Sequence, residues 1–148
     1  MAQVLRLHAI PRGALSAAAP LLLLLALVLP GCGGTPAGDP GAIDRAFAEM
    51  AENVPVDGEG EVVKLLRDDT HGSRHQRFII RIPSGLTLLV AHNIDVGRRV
   101  PLRGPGDQVR FRGDYEWNNK GGVVHWTHHD PRGRHRGGWI EFEGQRYD

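Results

Sequence analysis

The chain has 148 residues, with 18 basic against 17 acidic side chains, eight histidines and one cysteine. That length holds one folded domain at most, and a single cysteine excludes an intramolecular disulfide. A net charge of +1 does not indicate a strongly basic nucleic-acid binder.

Arg6 and Arg12 open the chain, and Leu21 to Leu29 is a short apolar run. A basic start, an apolar stretch and small residues behind it predict an export signal over residues 1–31. The run falls short of the ~20 residues a membrane-spanning helix needs. Leu29-Pro30-Gly31-Cys32 resembles the lipobox of bacterial lipoproteins. The resemblance implies that Cys32 is lipidated, becomes the first mature residue and anchors the chain to a membrane. The domain would then stand in the cell envelope outside the cytoplasm. Gly33, rather than Asp, implies the outer membrane if the host has one. Two of the basic residues and none of the acidic ones precede Cys32, leaving 16 against 17 and a mature charge near −1.

Residues 32–41 are rich in glycine and proline and predict a tether. Asp39-Pro40 predicts a helix start, and Ile43, Phe47, Met50 and Val54 recur at helical spacing. One short amphipathic helix is therefore expected within 42–57, running to about Asn53 and ended by Pro55 and Asp57-Gly58. A β domain follows over 58–148. Glu61 to Arg67 reads as a strand, and His75 to Ile82 alternates. Pro83-Ser84-Gly85 turns the chain into a strand from Leu86 to His92. Asn93 to Asp107 is a connection. Val109, Phe111, Gly113, Tyr115 and Trp117 form one face of a half-buried strand. Asn118 to Gly122 is a hairpin turn, Val123 to His128 pairs back, and Trp139 to Phe142 is a last strand before Glu143-Gly144. Five or six short strands predict an all-β fold, a small OB-like barrel preceded by one helix. The helix between its third and fourth strands is poor or missing, and a split sandwich is the rival architecture.

Four histidines fall within His125-Trp126-Thr127-His128-His129-Asp130-Pro131 and the adjoining Arg132-Gly133-Arg134-His135. If the strand continues, His125, Thr127 and His129 share one face and Trp126 and His128 the other. His125, His129, Asp130 and His135 are then candidate ligands for zinc or another divalent transition metal. The spacing matches no established metal motif. His125-Trp126-Thr127 resembles half of the tandem motif of two-histidine phosphoesterases, but a second copy is absent. The competing reading is structural, with the imidazoles bonding carbonyls and stacking on Trp126 and Trp139.

His75 and His92 should lie near one end of their hairpin, where with Asp95 they could serve as general base and orienter. No nucleophile is evident. Arg77, Arg81, Arg110 and Arg112, with Arg132, Arg134 and Arg136, form an arginine set. Beside Trp117, Trp126 and Trp139, it suggests the basic groove and stacking platforms of OB folds on single-stranded nucleic acid. Envelope glycans and phospholipid head groups are other anions it would suit, and a solvated face balanced by Asp114, Glu116, Glu141 and Glu143 is the plainer reading.

From Glu59 to Tyr147 the chain resembles an uncharacterised family of small exported bacterial proteins, a domain of unknown function. The matching residues are His75-Gln76-Arg77-Phe78, Ala91-His92-Asn93-Ile94-Asp95, Tyr115-Glu116-Trp117-Asn118 and Gly121-Gly122-Val123. His125 to Pro131 and Gly137-Gly138-Trp139-Ile140 complete the match. The resemblance implies no activity, substrate or cofactor.

These readings converge on a membrane-tethered binding module for a polar or anionic ligand. Its expected contacts are His75, Arg77, His92, Asn93, Glu116, Trp117, Asn118, Trp126, His128 and Trp139. The alternative is a metal-dependent hydrolase of phosphodiesterase or nuclease type, with the His125/His129/Asp130 cluster as ligands and His75 or His92 as base. A structural envelope protein is the third reading, and whether the protein is an enzyme stays open at this level.

Overall fold

The computed structural model describes residues 39–148; Cys32, the export signal and most of the expected tether lie outside them. Among the described residues no helix is long and apolar enough to cross a membrane. Helix α1 spans Ala42–Ala48. Seven strands follow: β1 Val54–Leu65, β2 His75–Arg81, β3 Thr87–Asn93, β4 Gln108–Glu116, β5 Val123–His125, β6 Trp139–Phe142 and β7 Gln145–Tyr147. Five of them close on themselves in the order β1-β2-β3-β5-β4, with β4 returning to β1. Every pairing of that ring is antiparallel except β3 with β5, so the barrel is mixed. β6 and β7 extend from the free stretch of β4 that β5 leaves uncovered. The expected OB-like barrel with a leading helix is the observed fold.

The helix is shorter than its apolar spacing suggested. Gly41, not Asp39, is its N-cap residue, and the Asp39 carboxylate accepts from Gly41 N at 2.9 Å. Met50 and Asn53 take left-handed backbone conformations, at φ 54° and 57°, which stop the helix before Val54. Ile43 and Ala46 bury into the barrel core, whereas Met50 is exposed.

β1 therefore begins four residues before the domain boundary drawn at 58, and Pro55 and Asp57-Gly58 lie inside it. Its first part pairs only with β4, through Val54↔Tyr115 to Glu61↔Gln108, and the part from Glu61 onward pairs with β2. Pro55 is tolerated where β1 has no second neighbour to receive an N–H. Gly58 is required by packing, since a Cβ there would stand 2.7 Å from the Phe111 ring. What reads as a turn is the seam that closes the barrel.

The core is filled by alternate residues of the strands: Val56 and Val62, Phe78 and Ile80, Leu88 and Val90, Phe111, Val124 and Ile140, all buried. Each such side chain contributes about 1.5–3 kcal/mol of burial. Tyr115 is also buried, donating its hydroxyl to Gly121 O at 3.1 Å, and burial pushes its pKa up.

The connection 94–107 takes the place of the missing helix, and two polar side chains hold it. Gln76 and His92 are cross-strand partners facing inward from β2 and β3. Gln76 donates to Val100 O at 2.8 Å and accepts from Val100 N at 2.9 Å, as a peptide group would. His92 donates from Nε2 to Arg98 O at 2.9 Å. With Val100 itself buried, the connection closes that end of the core.

Candidate histidine cleft

β5 ends at His125 instead of running to His128, because Trp126 takes a left-handed conformation at φ 54°. The strict alternation expected beyond His125 is therefore lost. Thr127 turns fully inward, His128 is buried and His129 is exposed to solvent. The chain beyond Trp126 is held close to the barrel by Gly138. Its N–H donates to His128 O at 2.8 Å, and a Cβ there would lie 2.0 Å from Trp126 O and 2.5 Å from Arg112 O.

This bend opens a cleft of about 810 Å³ between the start of β2, the end of β3 and the loop after β5. His75, Asn93, His125, Trp126, His128 and His135 line it, together with Asp130, Arg132 and Arg134. Asp130 organises the loop. Its carboxylate accepts from Arg132 N at 2.9 Å, Arg134 N at 2.6 Å and His135 N at 2.7 Å. Those N–H groups hold its pKa below the usual carboxylate value. Thus fixed, the loop turns back so that His135 stacks on Trp126, with ring centroids 4.1 Å apart.

Each imidazole is held differently. His135 places Nδ1 2.7 Å from Arg136 O and Nε2 2.7 Å from Asp114 Oδ2. Both ring nitrogens of His135 are therefore engaged. His128 donates from Nδ1 to His129 O at 2.6 Å, and burial is the main force lowering its pKa. His75 donates from Nδ1 to Ser73 O at 2.8 Å. His125 Nε2 lies 3.4 Å from Glu116 Oε1 but not in hydrogen-bonding alignment, so it has no bonded partner.

His92 is not in the cleft. It and His75 do sit at the same end of the hairpin, as Gln76↔His92 and His75↔Asn93, but on opposite faces. His92 is wholly buried, with Nε2 on Arg98 O and Nδ1 accepting from Thr127 Oγ1 at 2.9 Å. Burial is the main force lowering its pKa, and both nitrogens are occupied, so it acts as a fastener beneath the cleft. Leu88, Val90 and His92 alternate on one buried face, a signal that sequence spacing already carried.

The four expected metal ligands are not brought to one point. His129 does not line the cleft, Asp130 faces backbone N–H groups and His135 is joined to Asp114. Among the described residues no three His, Cys, Asp or Glu side chains are placed to share a metal ion.

The remaining expected contacts divide. Asn93 lines the cleft while its Oδ1 accepts from Asp95 N. Glu116 stands beside His125 but does not itself line the cleft. Asn118 caps its own turn, accepting from Lys120 N and Gly122 N. Trp117 packs against the core, and Arg77 bonds Arg67 O beside Asp69. Trp139 lies away from the cleft beside a separate pocket of about 230 Å³, its ring covered by Arg146 at 4.2 Å and Arg112 at 5.7 Å. Most arginines of the expected basic set are paired, Arg110 with Glu141 and Arg112 and Arg136 with Asp57. Arg132 and Arg134, which the pattern did not distinguish from the others, form no ion pair among the described residues and line the cleft.

A model for a protein of unknown function, DUF3465, matches residues 27–148. The chain belongs to that family. No curated protein and no solved structure matches it. The match covers the whole barrel, so the cleft and the fasteners beneath it lie within the family's domain.

Proposed function

We propose that the barrel is a binding module whose histidine cleft takes an anionic ligand, and that the chain is tethered in the bacterial envelope through lipidated Cys32. The observation that carries the ligand class is the pair Arg132 and Arg134, which lack ion-pair partners among the described residues and line a cleft with four imidazoles. Two acids nearby are already engaged, Asp130 by three backbone N–H groups and Asp114 by His135. An incoming phosphate or carboxylate would therefore meet free guanidinium donors in fork geometry. The tether rests on the basic start, the short apolar run and Leu-Pro-Gly-Cys at 29–32.

The metal-dependent hydrolase comes second, because it needs three convergent donors that the described residues do not supply. Calorimetric titration of the untagged protein with pyrophosphate and with heparin fragments tests the binding reading. Saturable binding that weakens with salt and is lost in Arg132→Ala/Arg134→Ala is expected. Heat signals no larger than buffer dilution for both probes would refute it.

A further inference from the structure

His75 and His128 share a property that the other well-held imidazoles lack. Each has Nδ1 on a backbone carbonyl, Ser73 O for His75 and His129 O for His128, while its Nε2 has no partner among the described residues. A carbonyl can only accept, so Nδ1 carries a proton, and in the neutral ring this tautomer leaves the lone pair at Nε2. Neither Nε2 is hydrogen-bonded among the described residues, and both rings line the cleft. In His92 and His135, by contrast, both nitrogens have partners. The burial that depresses the His128 pKa favours the same neutral form.

Two lone pairs are a poor lining for a bare anion, which offers them nothing to accept. Beside Arg132 and Arg134 they suit a ligand that carries hydrogen-bond donors next to its negative charge. The indoles offer little to a flat base instead, since Trp126 is stacked on His135 and Trp139 is covered by arginine. We propose that the cleft recognises a phosphate ester of a polyol, with Arg132 and Arg134 on the phosphate and Nε2 of His75 and His128 accepting from the neighbouring hydroxyls. This rests on the anion-binding reading and narrows it. The same chemistry occurs in soluble sugar phosphates and in glycerol-bearing lipid head groups.

The test compares glycerol 3-phosphate, ethyl phosphate and inorganic phosphate by calorimetry. A hydroxyl bonded in a partly open cleft is worth about tenfold in affinity, so glycerol 3-phosphate should bind about tenfold tighter than ethyl phosphate. His128→Ala should erase that preference. His75→Ala, at a half-exposed position that does not support the core, should reduce it even if His128→Ala fails to fold. Co-sedimentation of the Cys32→Ser chain with phosphatidylglycerol vesicles, but not with phosphatidic acid vesicles, would identify the head-group source. Binding of free glycerol 3-phosphate without vesicle capture would identify the soluble one. Equal affinity for all three small probes, with no preference between the vesicles, would overturn the inference and leave anion binding standing. No binding to any probe would overturn both.

Discussion

Thr127 Oγ1 and His92 Nδ1 lie 2.9 Å apart in the fully buried layer beneath the cleft, joining the loop after β5 to the end of β3. Because His92 Nε2 must donate to Arg98 O, Nδ1 has to accept, and the threonine hydroxyl is the donor. One imidazole thus ties together the connection 94–107, β3 and the base of the cleft. Thr127→Val keeps the shape but leaves Nδ1 without its donor, which costs about 1–3 kcal/mol. Urea unfolding should show the midpoint falling with an unchanged slope; a midpoint equal to the parent's would contradict this role.

The same layer makes stability depend on pH. Burial lowers the pKa of both His92 and His128 below the ordinary imidazole value, which is about 6.5. Between the folded and unfolded values the unfolded chain binds more protons, so stability rises with pH there. The contribution is complete above about pH 6.5 and is lost as the pH falls through the depressed folded values. Thermal melts from pH 8 to 5 should show this decline, and His92→Gln should flatten it while lowering stability at pH 8. A profile of the same steepness in the variant would assign the decline to other groups.

The barrel was legible where polarity alternates with a period of two, as in β2, β3 and β4, and where Pro83-Ser84-Gly85 and Asn118 to Gly122 mark turns. β1 was not, because Pro55 and Gly58 have the composition of a turn and are explained only by one-sided pairing and the Phe111 ring. The histidine run marked the place of the cleft. It could not show which imidazoles turn inward, since that depends on the left-handed backbone at Trp126. The arginines divide by long-range pairing, Arg112 with Asp57 across the β1–β4 seam, and no local pattern reports it.

Gly138 should tolerate no side chain. A Cβ there meets two backbone carbonyls, Trp126 O and Arg112 O, and neither can swing aside as a side chain would. Relief would require moving β6 away from β4 or displacing the Trp126 bend. Gly138→Ala is expected to cost about 1–3 kcal/mol or more, as overpacking does, and to disturb the cleft at the same time. Denaturant unfolding together with Trp fluorescence would show both effects; parental values of each would mean the backbone there is softer than its contacts imply.

Asp130 separates cleft from core. Its carboxylate gathers the N–H groups of Arg132, Arg134 and His135, so it sets the positions of both unpaired guanidinium groups and of the ring stacked on Trp126. The loop it orders is largely exposed and contributes no side chain to the hydrophobic core. Asp130→Ala should therefore leave the thermal midpoint almost unchanged while weakening pyrophosphate binding about tenfold or more, through the ordering that must then accompany binding. Asp130→Asn keeps an acceptor oxygen without the charge and should fall between. Removing a negative charge from an anion site would, by electrostatics alone, tighten binding. The sign of the change in Asp130→Ala thus decides whether this carboxylate acts by positioning its neighbours or merely by its charge.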